Sequence, residues 1–268
     1  MQGNLSSTFQ SYPEVQVQPT LFDVYSSKYH KSLFNGKKVT IEDAIVVKTD
    51  FLHILPSNSK FAQFDTQVFM DALKVNYATL LKNMLEPVRD NYDVIFIDCP
   101  PALTYLTSAA HCFSDQILMP VNTDKFSLEN LQGTMEHIEN LKAMHPDVNP
   151  ECRVLINKWD SRHAVGYDIK DVLKADYPKE LMKSFIGVSK QLENKLYDEM
   201  CIWSARGKSL ALEDMNQVLV ELLKLDRWAV EWKAADTKAT AKASKVPAKP
   251  TKPIRKVARG RSEVRADG

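Results

Sequence analysis

Four apolar residues in a row, Val94-Ile95-Phe96-Ile97, end on one carboxylate, Asp98, followed by Cys99, Pro100 and Pro101. An apolar run without polar alternation suits a parallel strand covered on both faces, and the prolines forbid a helix beyond it. The pattern predicts a strand over 93–98 that delivers Asp98 to its carboxyl end, where open α/β sheets bind ligands. Elsewhere the periodicity changes repeatedly. Residues 45–55 read as extended structure, stopped at Pro56, and Phe61, Phe64, Val68, Ala72, Val75 and Leu80 recur at helical spacing within a long helix over about 60–90. A short helical stretch near 103–112 precedes a strand at 116–121, and a helix follows Ser127, with Leu128, Leu131, Met135, Ile138 and Leu141 on its inner face. Strands at 153–156 and 183–188 flank a helix at about 164–175, and a last amphipathic helix runs over about 209–232. This alternation predicts a doubly wound, mostly parallel sheet with helices on both faces.

Charge divides the chain where periodicity does not. Residues 233–268 carry 11 Lys/Arg against 3 Asp/Glu, a net of +8, while residues 1–232 carry 24 against 31, a net of −7. The tail is rich in Lys, Ala and Pro and poor in large apolar residues, a composition that cannot bury a core. The reading is therefore an α/β domain over 1–232 and a disordered basic tail over 233–268. The four cysteines, Cys99, Cys112, Cys152 and Cys201, form no CxxC pair, so neither a zinc site nor a disulfide framework is indicated, and a reducing cytoplasm is expected. No apolar run reaches the roughly 20 residues that span a bilayer. The polar face of the last helix carries Glu213, Asp214, Glu221 and Asp226 instead of a lysine row, which disfavours a membrane anchor.

Candidate chemistry gathers at the predicted strand ends. Asp98 is placed to hold magnesium through water, although strand-terminal aspartates also serve as plain caps. Asp124 and Ser127 precede a helix, where an acidic residue and a hydroxyl N-cap explain both without function. Asn157-Lys158-Trp159-Asp160 matches the NKxD pattern with which GTPases read guanine, but four positions with one wildcard recur by chance and no GTPase switch motif accompanies them; a base contact at Asn157 and a polar loop with Asp160 capping a later turn are the two readings that compete here. Arg206 and Lys208 stand before the last helix, and the tail's densest cluster holds Arg255, Lys256, Arg259 and Arg261. Spaced cations on a flexible chain neutralise DNA phosphates without reading bases.

Taken together, Gln2-Gly3-Asn4, the strand end Asp98-Cys99-Pro100-Pro101, Met119-Pro120-Val121 and the stretch Asp124 to Leu131 resemble the ParA-type partition ATPases, a deviant-Walker P-loop family that includes MinD. The resemblance runs from Gln2 to about Leu225. It implies a P-loop NTPase sheet, ATP and magnesium as cofactors, an ATP-dependent homodimer, nonspecific DNA and a ParB-like centromere-binding partner, and a nucleoid-associated cytoplasmic role in plasmid or chromosome segregation. It implies magnesium at Asp98 through water, nucleotide contacts at Gly3, Asn4, Asp124 and Asn157, and DNA contacts at Arg206 and Lys208. The family's Gly-rich loop and its lysines have no counterpart here, because the eight glycines never form a GxxxxGK pattern. The expectation is thus a chain missing the first strand, P-loop and first helix, deficient in ATP hydrolysis as written. Two alternatives stand beside it: a non-enzymatic remnant that binds DNA or a partner, and a GTPase using the loop at 157–160.

Overall fold

The computed structural model describes residues 19–30, 38–57, 61–71, 75–190, 192 and 209–225, all within a unit spanning Met1–Trp228. Its centre is a three-stranded parallel sheet in the order β3-β4-β5, formed by β3 (Gln116–Asn122), β4 (Glu151–Trp159) and β5 (Leu181–Gly187). The crossovers are helices α6 (Lys125–Met144) and α7 (Ala164–Asp176), and α8 (Leu210–Leu222) follows β5. Central strand β4 shows why the sheet is wound on both faces. Val154 and Ile156 pack with Leu131, Ile138, Ile169 and Leu173 of α6 and α7, whereas Leu155 joins Met182, Ile186, Val218 and Leu222 on the α8 side. Successive side chains of a strand face opposite ways, so three consecutive buried residues need a layer on each side.

A second core is built from helices. It unites α1 (Leu21–Tyr29), α2 (Ile41–Ala44), α3 (Phe61–Met70), α4 (Tyr77–Arg89) and α5 (Tyr105–Phe113) around Tyr25, Val68, Leu80 and Ala109. Polar clasps fix these helices. The Asp23 carboxylate accepts from the Thr20 amide and hydroxyl at 2.8 and 2.7 Å, closing the start of α1. At the end of α3 one oxygen of Asp71 accepts from the Tyr25 hydroxyl at 2.6 Å and Gln67 Nε2 at 3.3 Å, and meets His30 Nε2 at 2.5 Å. The hairpin of β1 (Val46–Thr49) and β2 (Leu52–Ile54) is antiparallel and separate from the parallel sheet.

Several sequence expectations change. Residues 93–98 form no strand; they run irregularly, with Val94, Ile95 and Phe96 exposed, Phe96 by 67%. A strand exists only through its ladder, and among the described residues no strand pairs with this run or with the outer edge of β3. Ile97 alone leans on the helical core. The single extended stretch over 45–55 is instead a hairpin, because Thr49 Oγ1 accepts from the Phe51 and Leu52 amides and folds the chain back. The long helix over 60–90 is two, the second started by Asn76, whose Oδ1 accepts from the Ala78 amide. The strand read at 183–188 is shifted to Leu181–Gly187, and α8 ends at Leu222, short of 232. The tail over 233–268 and residues Gly3, Asn4, Arg206, Lys208, Arg255, Lys256, Arg259 and Arg261 lie outside the described residues. No helix among the described residues is long and apolar enough to cross a membrane.

Candidate functional site

Parallel register aligns the carboxyl ends of β3 and β4, with Asn122 opposite Asn157. Asn157 Nδ2 donates to Asn122 Oδ1 at 3.3 Å, so two side chains that leave adjacent strands join the loops beyond them. Trp159 carries the rim on to β5, since its carbonyl accepts from the Val188 amide at 3.0 Å. The indole packs edge-on against Tyr167, near Phe185, and Lys170 Nζ lies 5.0 Å from the Trp159 ring centroid. Gly166 permits this packing: a Cβ there would meet Trp159 at 3.3 Å and the Thr123 methyl at 3.6 Å. Thr123, just after β3, and Trp159, at the end of β4, thereby both approach this glycine of α7.

Asp124 is fully engaged as the N-cap of α6. Its two oxygens accept from the Ser127 amide at 2.8 Å and the Ser127 hydroxyl at 2.9 Å. The helix therefore starts at Lys125, and Ser127 is a partner of the cap instead of the cap itself. Asp98 is exposed and has no hydrogen-bond or ion-pair partner among the described residues. The structure brings Asn157 together with Asn122 and turns the chain tightly after β3, the Asp124 amide donating to the Asn122 carbonyl at 2.9 Å, while no contact of these residues with Asp98 is recorded among the described residues. Asp98 alone suits a water-mediated magnesium contact, but the described residues contain no group of three His, Cys, Asp or Glu able to hold a metal. Nor do they offer a glycine-rich cradle for phosphates.

The NKxD segment has a geometry of its own. Lys158 sits at φ 54°, the left-handed region that non-glycine residues rarely adopt, and the turn it starts presents Asp160. Both oxygens of Asp160 are taken by Arg162: Nε and the backbone amide donate to Oδ1 at 2.9 and 3.0 Å, and Nη2 donates to Oδ2 at 2.6 Å. His163 Nε2 stands 3.5 Å away. The Arg162 hydrogen bonds hold the Asp160 carboxyl well below the usual carboxylate range. Arg162 was no part of the sequence reading, although an Asp-x-Arg spacing after a strand is a legible signal for a local bidentate pair.

One further cluster lies where α5 meets α6. Ser108 Oγ pairs with His137 Nε2 at 3.0 Å, and the His111 and His137 rings are 5.8 Å apart. His111 is buried with its Nδ1 unpartnered. Burial, and then the neighbouring His137, push the His111 imidazole down to about 4.

A parallel sheet wrapped on both faces, with its polar side chains gathered on the loops beyond the strand carboxyl ends, is the architecture of doubly wound nucleotide-binding proteins. The chain belongs to the AAA domain family, whose model matches residues 1–153, and it is of the ParA type, similar to a ParA family protein of Mycoplasma pneumoniae and to the sporulation initiation inhibitor protein Soj of Bacillus subtilis. It is 35% identical over 109 residues to an uncharacterized protein of Pseudomonas putida, a match spanning 40% of this chain and 40% of that protein's length. The chromosome partitioning protein ParA of Caulobacter vibrioides is 24% identical over 229 residues, 81% of this chain and 80% of that one. In fold it is similar to the crystal structure of a putative plasmid partition protein from Borrelia burgdorferi bound to AMPPNP, with a TM-score of 0.64 at 18% identity over 83% of each chain.

Proposed function

We propose that this chain is a partition protein acting in plasmid or chromosome segregation, which attaches to nonspecific DNA through cations outside the described body and does not turn over ATP as written. The similarity to the Caulobacter ParA over most of both chains is the observation that carries this reading. The rim at Asn122, Asn157 and Trp159 faces the base end of a nucleotide, and Asp98 meets magnesium through its water shell. Gly3 and Asn4 add nucleotide contacts, while Asp124 keeps its role as a helix cap. Because the 268 residues contain no GxxxxGK run, the backbone amides and lysines that stabilise charge in phosphoryl transfer are not encoded in them. DNA phosphates are met by Arg206 and Lys208 and, in the basic C-terminal stretch, by Arg255, Lys256, Arg259 and Arg261. A centromere-binding partner and an ATP-dependent second copy complete the working assembly, which is cytoplasmic and associated with the nucleoid.

Steady-state ATP hydrolysis by the purified chain, with and without DNA, tests the enzymatic half. No turnover above background is expected, and DNA-stimulated release of phosphate would overturn it. The alternative of a non-enzymatic remnant shares the DNA contacts and differs in predicting no nucleotide affinity. A GTPase reading is opposed by the engagement of Asp160 with Arg162.

A further inference from the structure

We propose that Arg162 acts as an internal stand-in for guanine and so sets the base preference of the rim. This rests on the reading of that rim as nucleotide-facing. A carboxylate recognises guanine through two parallel donors, the ring N1–H and the exocyclic N2–H. A guanidinium offers the same pair of parallel donors to the same acceptor. In this chain the acceptor is already filled: Arg162 Nε and Nη2 reach Asp160 Oδ1 and Oδ2 at 2.9 and 2.6 Å.

Three features make the arrangement a built one. The partners are two residues apart, and the Arg162 amide also donates to Asp160 Oδ1 at 3.0 Å, so the pair forms within its own turn and its closure needs little chain ordering. The Asp160 side chain is 14% exposed against 81% for Arg162, so the acceptor is covered and its occupant is the solvent-facing partner. The turn is anchored on both sides, by Trp159 to Val188 and by the Asp160 carbonyl, which accepts from the His163 amide at 3.2 Å. Guanine would have to displace a covalently tethered competitor. Adenine, whose matching edge presents an acceptor at N1 and a donor at N6, has no use for this carboxylate fork and loses nothing by its closure. Arg162 is therefore a specificity residue that acts by exclusion.

Free nucleosides test this without any phosphate site. Guanosine and adenosine at millimolar concentration are titrated into the full chain, its Arg162→Ala variant and the Asp160→Asn/Arg162→Ala double variant, with binding followed by saturation-transfer NMR. The exposed position of Arg162 leaves folding intact. The wild type is expected to show no preference for guanosine. Arg162→Ala should gain guanosine affinity on the order of tenfold with adenosine unchanged, and the double variant should lose that gain. A wild type that already prefers guanosine, or an Arg162→Ala variant that binds adenosine but gains nothing for guanosine, overturns the role of Arg162. If neither nucleoside binds any of the three proteins, the nucleotide-facing reading of the rim fails first and this inference with it.

Discussion

At Asp71 three side chains converge on one carboxylate oxygen, and the consequences can be read in stability. Burial alone would raise its pKa, but the bonds from Tyr25, His30 and Gln67 outweigh that and lower it. A carboxylate with a depressed folded pKa adds stability that is present above its unfolded pKa of about 3.8 and is lost as pH falls through the folded value. Asp71→Ala leaves the hydroxyl of fully buried Tyr25 without its acceptor. It should cost about 1–3 kcal/mol in urea unfolding at pH 7, and a cost below about 0.5 kcal/mol would show the clasp to be idle. His111 predicts a separate effect. Its imidazole is neutral when folded, with a pKa near 4 against 6.5 unfolded, so its stabilising contribution is complete above about 6.5 and falls away toward pH 4. His111→Phe should flatten the decline in unfolding midpoint between pH 7 and 5; an unchanged slope would contradict the buried, neutral assignment. Little of this residue scale was legible in the sequence. Asp124 and Ser127 were recognised as capping chemistry with the roles exchanged, because both are good N-caps and only the backbone decides which one precedes the first helical turn. Arg162 escaped notice because a cation in a polar loop has no periodicity to mark it.

Elements whose partners lie close by in sequence were read well, and those that depend on distant partners were not. The parallel strands β3, β4 and β5 and the crossovers α6 and α7 announce themselves through apolar periodicity and short loops. Residues 93–98 carry as strong a strand signal, yet a ladder needs a neighbour and no described strand provides one. The difference is measurable. At 67% exposure Phe96→Ser should shift stability by no more than about 0.5 kcal/mol, whereas a buried core Phe of a finished sheet would cost about 3–5 kcal/mol on truncation. A loss of the larger size would restore the buried strand. At the opposite side of the sheet the edge of β5 is covered by side chains from α8. Glu221 accepts from the Lys183 and Ser184 amides at 2.8 Å each and from the Ser184 hydroxyl at 2.8 Å, and Asp214 accepts from the Gly187 amide at 3.0 Å. This blunts an edge that would otherwise template another strand. Glu221→Ala should speed hydrogen exchange at the Lys183 and Ser184 amides while leaving Gly187 protected by Asp214; equal protection at all three would mean that α8 packing alone shields the edge.

At the scale of the molecule, family membership and charge tell different parts of the story. The doubly wound sheet places its polar rim at the strand carboxyl ends, as the apolar runs at 116–121 and 153–156 foretold, and the family match covers residues 1–153. The charge division was equally plain: an acidic body of −7 over 1–232 is followed by a net of +8 over 233–268, whose charge is the one that suits a polyanion. The sequence did not reveal that Asp98 would stand alone, because a strand end gains meaning only from what is folded beside it. The DNA-binding claim is tested most directly by the salt dependence of nonspecific duplex DNA affinity, measured for the full chain and for a full-length variant with Arg255, Lys256, Arg259 and Arg261 changed to Gln. Steep weakening with salt is expected for the native chain, and the four changes should make the slope of log K against log salt shallower by roughly 3 to 4. An unchanged slope and affinity in the variant would contradict the account.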